Sequence, residues 1–569
     1  MEQRLVLVEH EVAGLRAAIA RLEARLASLE QGGLAPDALQ APAVEPSDVA
    51  PSEQRIDSAT SWGLRAVTLA GRSLLVFAGA YLLRALTDSG TLPVAAGVGL
   101  GLAYACGWLV AAARTRDRLG AAFHGGTATI VAFPLIVEAT LRFGLVTPGQ
   151  SAVVLAVLSA IFGVTAWRHD QRPLAWMAAT ASVAAGVTLA VRGDATGPFA
   201  LYFVLLGNAT LWLGYDREWT VLRWPTALVA DVFVLGLTAR ALNPDLGQSP
   251  WMALGVQLLL LAGYLTSIAV RTIVRGRGVI PFEVVQTVAA LAVGLGGAIA
   301  VTGELGTGTG LLGVASCVMG AATYAVAFLW VERQTTGIRN FMFYTSLALV
   351  LTIVGLDVLF EGGVLAVAWT ALGVVAVVLG ARLARLTLVS HAAVYLVGAA
   401  LASGLVRHAS QALIGRTEGS LGWLPAAAML VAAAAGASAC IRVDGGPGSA
   451  WLRQAPRLAL IIVFSLGLAS LGVDAMAWLA AKRGPVGMGV LATDRTAVLS
   501  VLALGTAWAS RWPRFAITGT LVYPVLVFTG LHLVLEDLRH SSPSTLFVAF
   551  ALYGAALIFA PRLKRAGRT

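Results

Sequence analysis

Residues 92–113 read LPVAAGVGLGLAYACGWLVAAA, a run without a single charge. As an α-helix it can cross the hydrocarbon core of a bilayer, because about 20 apolar residues rising about 1.5 Å each span roughly 30 Å. Segments of the same kind succeed one another from Trp62 to Pro561 with only short loops between them, and length and apolarity predict about 18 helices. The expected fold is therefore all-α, a polytopic transmembrane helix bundle over residues 62–561.

Composition agrees. The 569-residue chain is 58% hydrophobic and only 12% charged, with a mean hydropathy of +0.79, whereas a soluble chain carries about 25% charged residues. Its 62 glycines suit helices that approach closely in lipid. The net charge of +10 comes from basic residues scattered singly through short loops, which argues against a nucleic-acid partner. Cys106, Cys317 and Cys440 lie far apart in apolar segments, so neither a disulfide framework nor a zinc site is expected, and no cofactor is implied.

Working outward, residues 1–30 carry a heptad. Leu5, Val12, Ile19 and Leu26 occupy a positions, and Val8, Leu15, Leu22 and Leu29 occupy d positions. The pairs Arg4–Glu9, Glu11–Arg16 and Arg25–Glu30 are complementary across g and e′, as in a parallel two-stranded coiled coil. The alternative is a lone amphipathic helix. Residues 31–61, with Pro36, Pro42, Pro46 and Pro51, read as an extended linker. This polar beginning offers no cleavable signal peptide, so the first membrane helix is expected to act as an uncleaved anchor.

Basic residues also predict orientation. Alternate turns, from Arg114/Arg116/Arg118 to Arg511/Arg514, together with a tail at 562–569, hold 23 of them. The intervening turns hold nine: Arg142, Arg192, Arg240, Arg407, Arg416, Lys482, Arg483, Arg495 and Arg539. The richer side, with both termini, is expected in the cytoplasm. Helices re-entering from that side begin behind Pro173, Pro225, Pro281, Pro456 and Pro513, where the missing N–H costs nothing.

The stretch GRSLLVFAGAYLLRAL at 71–86, with Gly90 and Leu92-Pro93, resembles the first-helix pattern of an uncharacterised bacterial family of membrane proteins, domain of unknown function 2339. The run GLHLVLEDLRHSSPSTLFVAFALYGAALIFAPR at 530–562 resembles the way such proteins end. The resemblance implies a bacterial inner-membrane protein with a coiled coil, a Pro-rich linker and many helices. It brings no mechanism with it.

Ionisable groups inside spanning helices cost about 2.5–3.5 kcal/mol each on insertion scales and require a partner, a cavity or a role. Asp231 falls near the middle of its segment, and Asn208 sits similarly one hairpin earlier. Arg72 lies about 15 Å along a helix starting at Trp62, and an Arg72–Asp231 pair would satisfy both. Glu138 and Asp474 lie well inside their helices; Asp357, Glu283, Gln286, His124 and His391 lie nearer the ends, where side chains reach interfacial water. His532, Glu536 and Asp537 close the penultimate helix. His532 and Glu536, four apart, share a face that suits a substrate head group or a metal, though two ligands do not make a site. Gly125-Gly126 with Pro134, Pro425, and Tyr523-Pro524 are expected points of weakness, and Gly97 with Gly101 an expected packing face.

The sequence contains no GxxxxGK[ST], HExxH or GxSxG motif. Many helices, little extramembrane mass and a few deep charges point first to a carrier or translocator of an envelope-related substrate, in contact with membrane lipids. The alternative is a non-catalytic scaffold that dimerises or recruits a partner through residues 1–30. An intramembrane transferase on lipid-linked substrates ranks third, because the first external loop is too short to carry its acidic residues.

Overall fold

A computed structural model describes Gly71, Ala78, Gly79, Leu82 and residues 84–565, apart from 334–336, 384, 415–421, 443–449 and 483–486. The coiled-coil and linker assignments and Arg72 lie outside the described residues.

Local chemistry starts most helices. Helix α1 (Val94–Arg114) follows Pro93. In α2 (Arg118–Leu141) Asp117 accepts the Gly120 N–H at 2.9 Å. Helix α3 (Pro148–Arg168) opens with a reciprocal Thr147–Gln150 capping box, which satisfies two otherwise orphaned donors. Then follow α4 (Arg172–Arg192), α5 (Thr196–Asp216) and α6 (Arg223–Ala241), α7 (Pro250–Val274) and α8 (Pro281–Leu305). Next come α9 (Thr309–Leu329), α10 (Gly337–Leu359) and α11 (Gly362–Leu383). After them lie α12 (Leu386–Ala402), α13 (Leu405–Ile414), α14 (Trp423–Arg442) and α15 (Ala450–Ala481). The last are α16 (Met488–Ala509), α17 (Phe515–His540) and α18 (Pro543–Arg565). Gly306 and Gly308, at φ +66° and +89°, make the tight α8–α9 turn that residues with a Cβ would resist.

Among the described residues every regular element is helical, and fifteen helices are long and apolar enough to cross a membrane. The pair α12–α13, bent by 62° around Gly404, makes a sixteenth if taken as one span. The outward faces explain why the helices need lipid. On α3, Val153, Val157, Ile161 and Val164 are each 45% exposed or more, an apolar stripe that water would not tolerate. This is a multi-pass membrane protein.

Residues 76–569 form one compact unit. Its largest apolar core joins α1 to α8 around Phe133, Phe162, Phe199 and Phe203; smaller cores follow along α7–α10, α11–α15 and α16–α18. Close approaches pass over glycine: a Cβ on Gly101 would lie 2.6 Å from Leu135 Cδ2, and one on Gly97 would strike the Thr87 side chain. This is the packing face expected for that pair.

The irregularities fall elsewhere than expected. Helix α2 runs unbroken through Gly125, Gly126 and Pro134, and the two glycines admit Leu174 and Met177 of α4. Pro425 sits in the first turn of α14, so it breaks nothing. Pro456 lies inside α15, not at its start. Tyr523-Pro524 follows a 3₁₀ segment at Pro513–Thr520. The interruptions are instead π-helical turns at Val270–Val274, Ala290–Leu295 and Leu533–Asp537, a form that recurs at functional sites. Arg495, expected in a loop, lies in the second turn of α16 at 5% exposure.

Candidate functional site

Four helix ends bring polar residues together inside the first core. Tyr215 ends α5, Arg223 begins α6, Arg271 lies near the end of α7 and Glu283 is in the first turn of α8. Pro281 starts α8 and places Glu283 where its Oε2 accepts the Ile280 N–H at 2.9 Å, capping its own helix. The other oxygen, Oε1, accepts from Arg271 Nη1 at 2.6 Å and from the Tyr215 hydroxyl at 3.0 Å. Glu283 is wholly buried. Arg223, 4% exposed, stacks over Phe282 at 4.6 Å and has no partner for its Nε. Glu283 is thus paired with Arg271, while Arg223 lies over the Tyr215 and Phe282 rings with no carboxylate in ion-pair distance among the described residues.

Deeper along the same helices lies Asp231, eight residues past Arg223 and so about 12 Å further in. Its Oδ1 accepts from Gln286 Nε2 at 3.0 Å, and among the described residues it forms no ion pair. Within electrostatic reach of it, the wholly buried Tyr264 hydroxyl has no hydrogen-bond partner. Gly207 makes room for that hydroxyl. Asn208 donates to the Val204 carbonyl of its own helix at 3.0 Å, and its amide fits against Gly263. One further layer along, Gln257 Nε2 donates to Thr238 Oγ1 at 2.6 Å, while Gln257 Oε1 is unpartnered. From Arg223 to Thr238 this polar column runs about 22 Å. Each layer holds one buried polar atom without a partner (Arg223 Nε, Tyr264 OH, Gln257 Oε1), and such atoms call for bound water or ligand.

A second cluster lies between α16 and α17. Asp537, wholly buried, accepts from Thr493 at 3.3 Å and from Thr496 at 2.6 Å. His532 Nδ1 lies 3.4 Å from Asp537 Oδ2, with Nε2 buried and unpartnered. His532 and Glu536 do not act from one face as their spacing of four suggests. The π-turn at Leu533–Asp537 widens the helix by one residue, so position i+5, not i+4, comes under the histidine, and Glu536 instead lies 3.6 Å from His540. Among the described residues no three His, Cys, Asp or Glu side chains converge to hold a metal.

The remaining candidates have local partners. Glu138 pairs with Arg84 at 3.0 Å, and Asp474 with His408 Nε2 of α13 at 2.9 Å. The structure therefore brings His532 to Asp537, pairs Asp231 with Gln286 and leaves Asn208 bonded within its own helix, while Glu138 and Asp474 have partners elsewhere.

Sequence reasoning put Glu283 and Gln286 near interfacial water; they are 0% and 3% exposed. In the sequence Arg223 and Arg271 read only as basic residues of turns that mark orientation, and nothing distinguishes Tyr215 and Tyr264. The usable signal was a glutamate two residues after a helix-starting proline, opposite an arginine-rich turn. No family model, curated protein or solved structure matches the chain.

Proposed function

We propose that this protein is a carrier or translocator of an envelope-related substrate in a bacterial inner membrane, from the family its two ends resemble, with both termini in the cytoplasm. The supporting observation is Asp231: a carboxylate deep in the bundle held by one neutral amide, with the unpartnered Tyr264 hydroxyl buried in the same core. A carboxylate kept only for packing would normally be fully paired. One left half-satisfied can bind and release a proton, a cation or a polar substrate group. The column from Arg223 to Thr238 supplies the polar steps on either side of it.

A scaffold is the second reading, and the short Arg271–Glu283 pair favours it, since that contact ties α7 to α8 as a packing element would.

Access separates the two. Cys106, Cys317 and Cys440 would be replaced by alanine, and Asp231, Tyr264 and Gln286 changed singly to cysteine. A carrier exposes these positions to a membrane-impermeant thiol reagent from at least one side of sealed vesicles. A scaffold leaves all three unlabelled from either side, although each labels after denaturation.

A further inference from the structure

A groove of about 570 Å³ opens between α3, α4 and α5, within the size range of small-molecule sites. Its walls are small and apolar: Ala156, Ala160 and Gly163 from α3, Ala175, Ala178 and Ala179 from α4. Its floor is a closed hydroxyl cluster in which Ser159 Oγ lies 2.8 Å from Ser182 Oγ and 2.9 Å from the Tyr202 hydroxyl. Each of these hydroxyls has a partner within the cluster.

The mouth is different. It is framed by Trp167, Trp212, Asp216 and Arg275. Arg275 lies over the Trp212 ring at 5.1 Å, and Arg217 over Trp167 at 5.6 Å. Asp216 is already engaged, accepting from Trp167 Nε1 at 2.6 Å with Arg217 3.9 Å away. Arg275 is exposed and has no carboxylate within ion-pair distance among the described residues. From floor to mouth the groove follows α3 for about 12 Å, from Ser159 to Trp167, and α5 for about 15 Å, from Tyr202 to Trp212, close to the depth of one leaflet of a roughly 30 Å core.

We infer that this groove holds one anionic membrane lipid, with an acyl chain along the alanine walls and its phosphate against Arg275. Tryptophan and arginine together mark headgroup depth, the free guanidinium selects an anionic phosphate, and the polar floor ends the chain. The inference stands whatever the protein carries.

The test is native mass spectrometry of the detergent-purified full chain titrated with phosphatidylglycerol or phosphatidylcholine of equal chain length. Wild type retains one phosphatidylglycerol about fivefold more tightly than phosphatidylcholine. Arg275→Gln reduces that preference to none. Gly163→Leu abolishes retention of both lipids. At Gly163 a Cβ meets only Leu213 Cδ1, at 3.9 Å, so the new side chain enters the groove without disturbing the fold, and the thermal unfolding midpoint stays at the wild-type value. Equal retention of both lipids by wild type, or retention unchanged in Gly163→Leu, means that only unspecific annular lipid is bound and overturns the inference.

Discussion

His532 Nδ1 lies 3.4 Å from Asp537 Oδ2, five residues further along one helix, a contact that only the π-turn between them allows. The same carboxylate holds Thr493 and Thr496 of α16, so one wholly buried group fastens two spans.

Replacing Asp537 by alanine removes one partner from each of three buried polar side chains, although Thr493 keeps the Gly489 carbonyl and Thr496 keeps His532. We expect a loss of about 2–4 kcal/mol, read as a lowered midpoint of thermal unfolding in detergent. Asp537→Asn, which keeps an acceptor oxygen for one threonine, should lose less than half of that. Equal losses in the two variants would show that the charge, not the hydrogen bonding, secures α16 to α17.

Glu283 offers a sharper electrostatic case. Glu283→Ala leaves Arg271 and Arg223 facing each other across Tyr215 with no carboxylate, and should destabilise by about 3–5 kcal/mol. Adding Arg271→Ala to that variant should restore part of the loss, because the uncompensated cation is then removed. A double-mutant cycle on the unfolding midpoint gives the coupling; additive losses would refute a direct pair.

Asp231 should behave in the opposite way. Asp231→Asn retains a group for Gln286 to bond and removes a carboxylate that no described cation stabilises. The unfolding midpoint should therefore match or exceed wild type, within about 1 kcal/mol. A large loss of stability would mean that Asp231 is held by a cation, with Arg72 the first to be tested.

Close packing of α9 on α10 depends on Gly355. A Cβ there would lie 2.6 Å from Cys317 Sγ and 2.8 Å from both the Cys317 nitrogen and the Gly313 carbonyl. Backbone cannot step aside as a flexible side chain can, so Gly355→Val should cost about 1–3 kcal/mol. Gly303→Val, where a Cβ meets nothing within 4 Å, serves as the control in the same unfolding measurement.

The spans were legible because twenty apolar residues in lipid have few alternatives to a helix. Asp231 was legible for the same reason: its position in the segment gives its depth. Exposure at a given depth was not. Glu283 sits in a first turn, yet Tyr215, Arg271 and the Ile280 N–H close over it, and those partners come from three places in the chain. Arg495 suggested a loop because Asp494-Arg495 interrupts an apolar run, but burial among neighbouring helices keeps it in α16. The π-turns leave no mark in residue spacing, since a slip from i+4 to i+5 is imposed by packing. That is why a spacing of four places His532 and Glu536 on one face in the sequence, whereas the structure brings Asp537 under the histidine.

The most direct test of the proposed function is an electron-microscopy structure in lipid nanodiscs at a resolution that shows ordered water. For a carrier, water or ion density is expected beside the Asp231 carboxylate and the Tyr264 hydroxyl, continuous with solvent on one side of the membrane. A dry interior, with both oxygens of Asp231 bonded to protein and Tyr264 paired, would contradict it and leave the scaffold reading in its place.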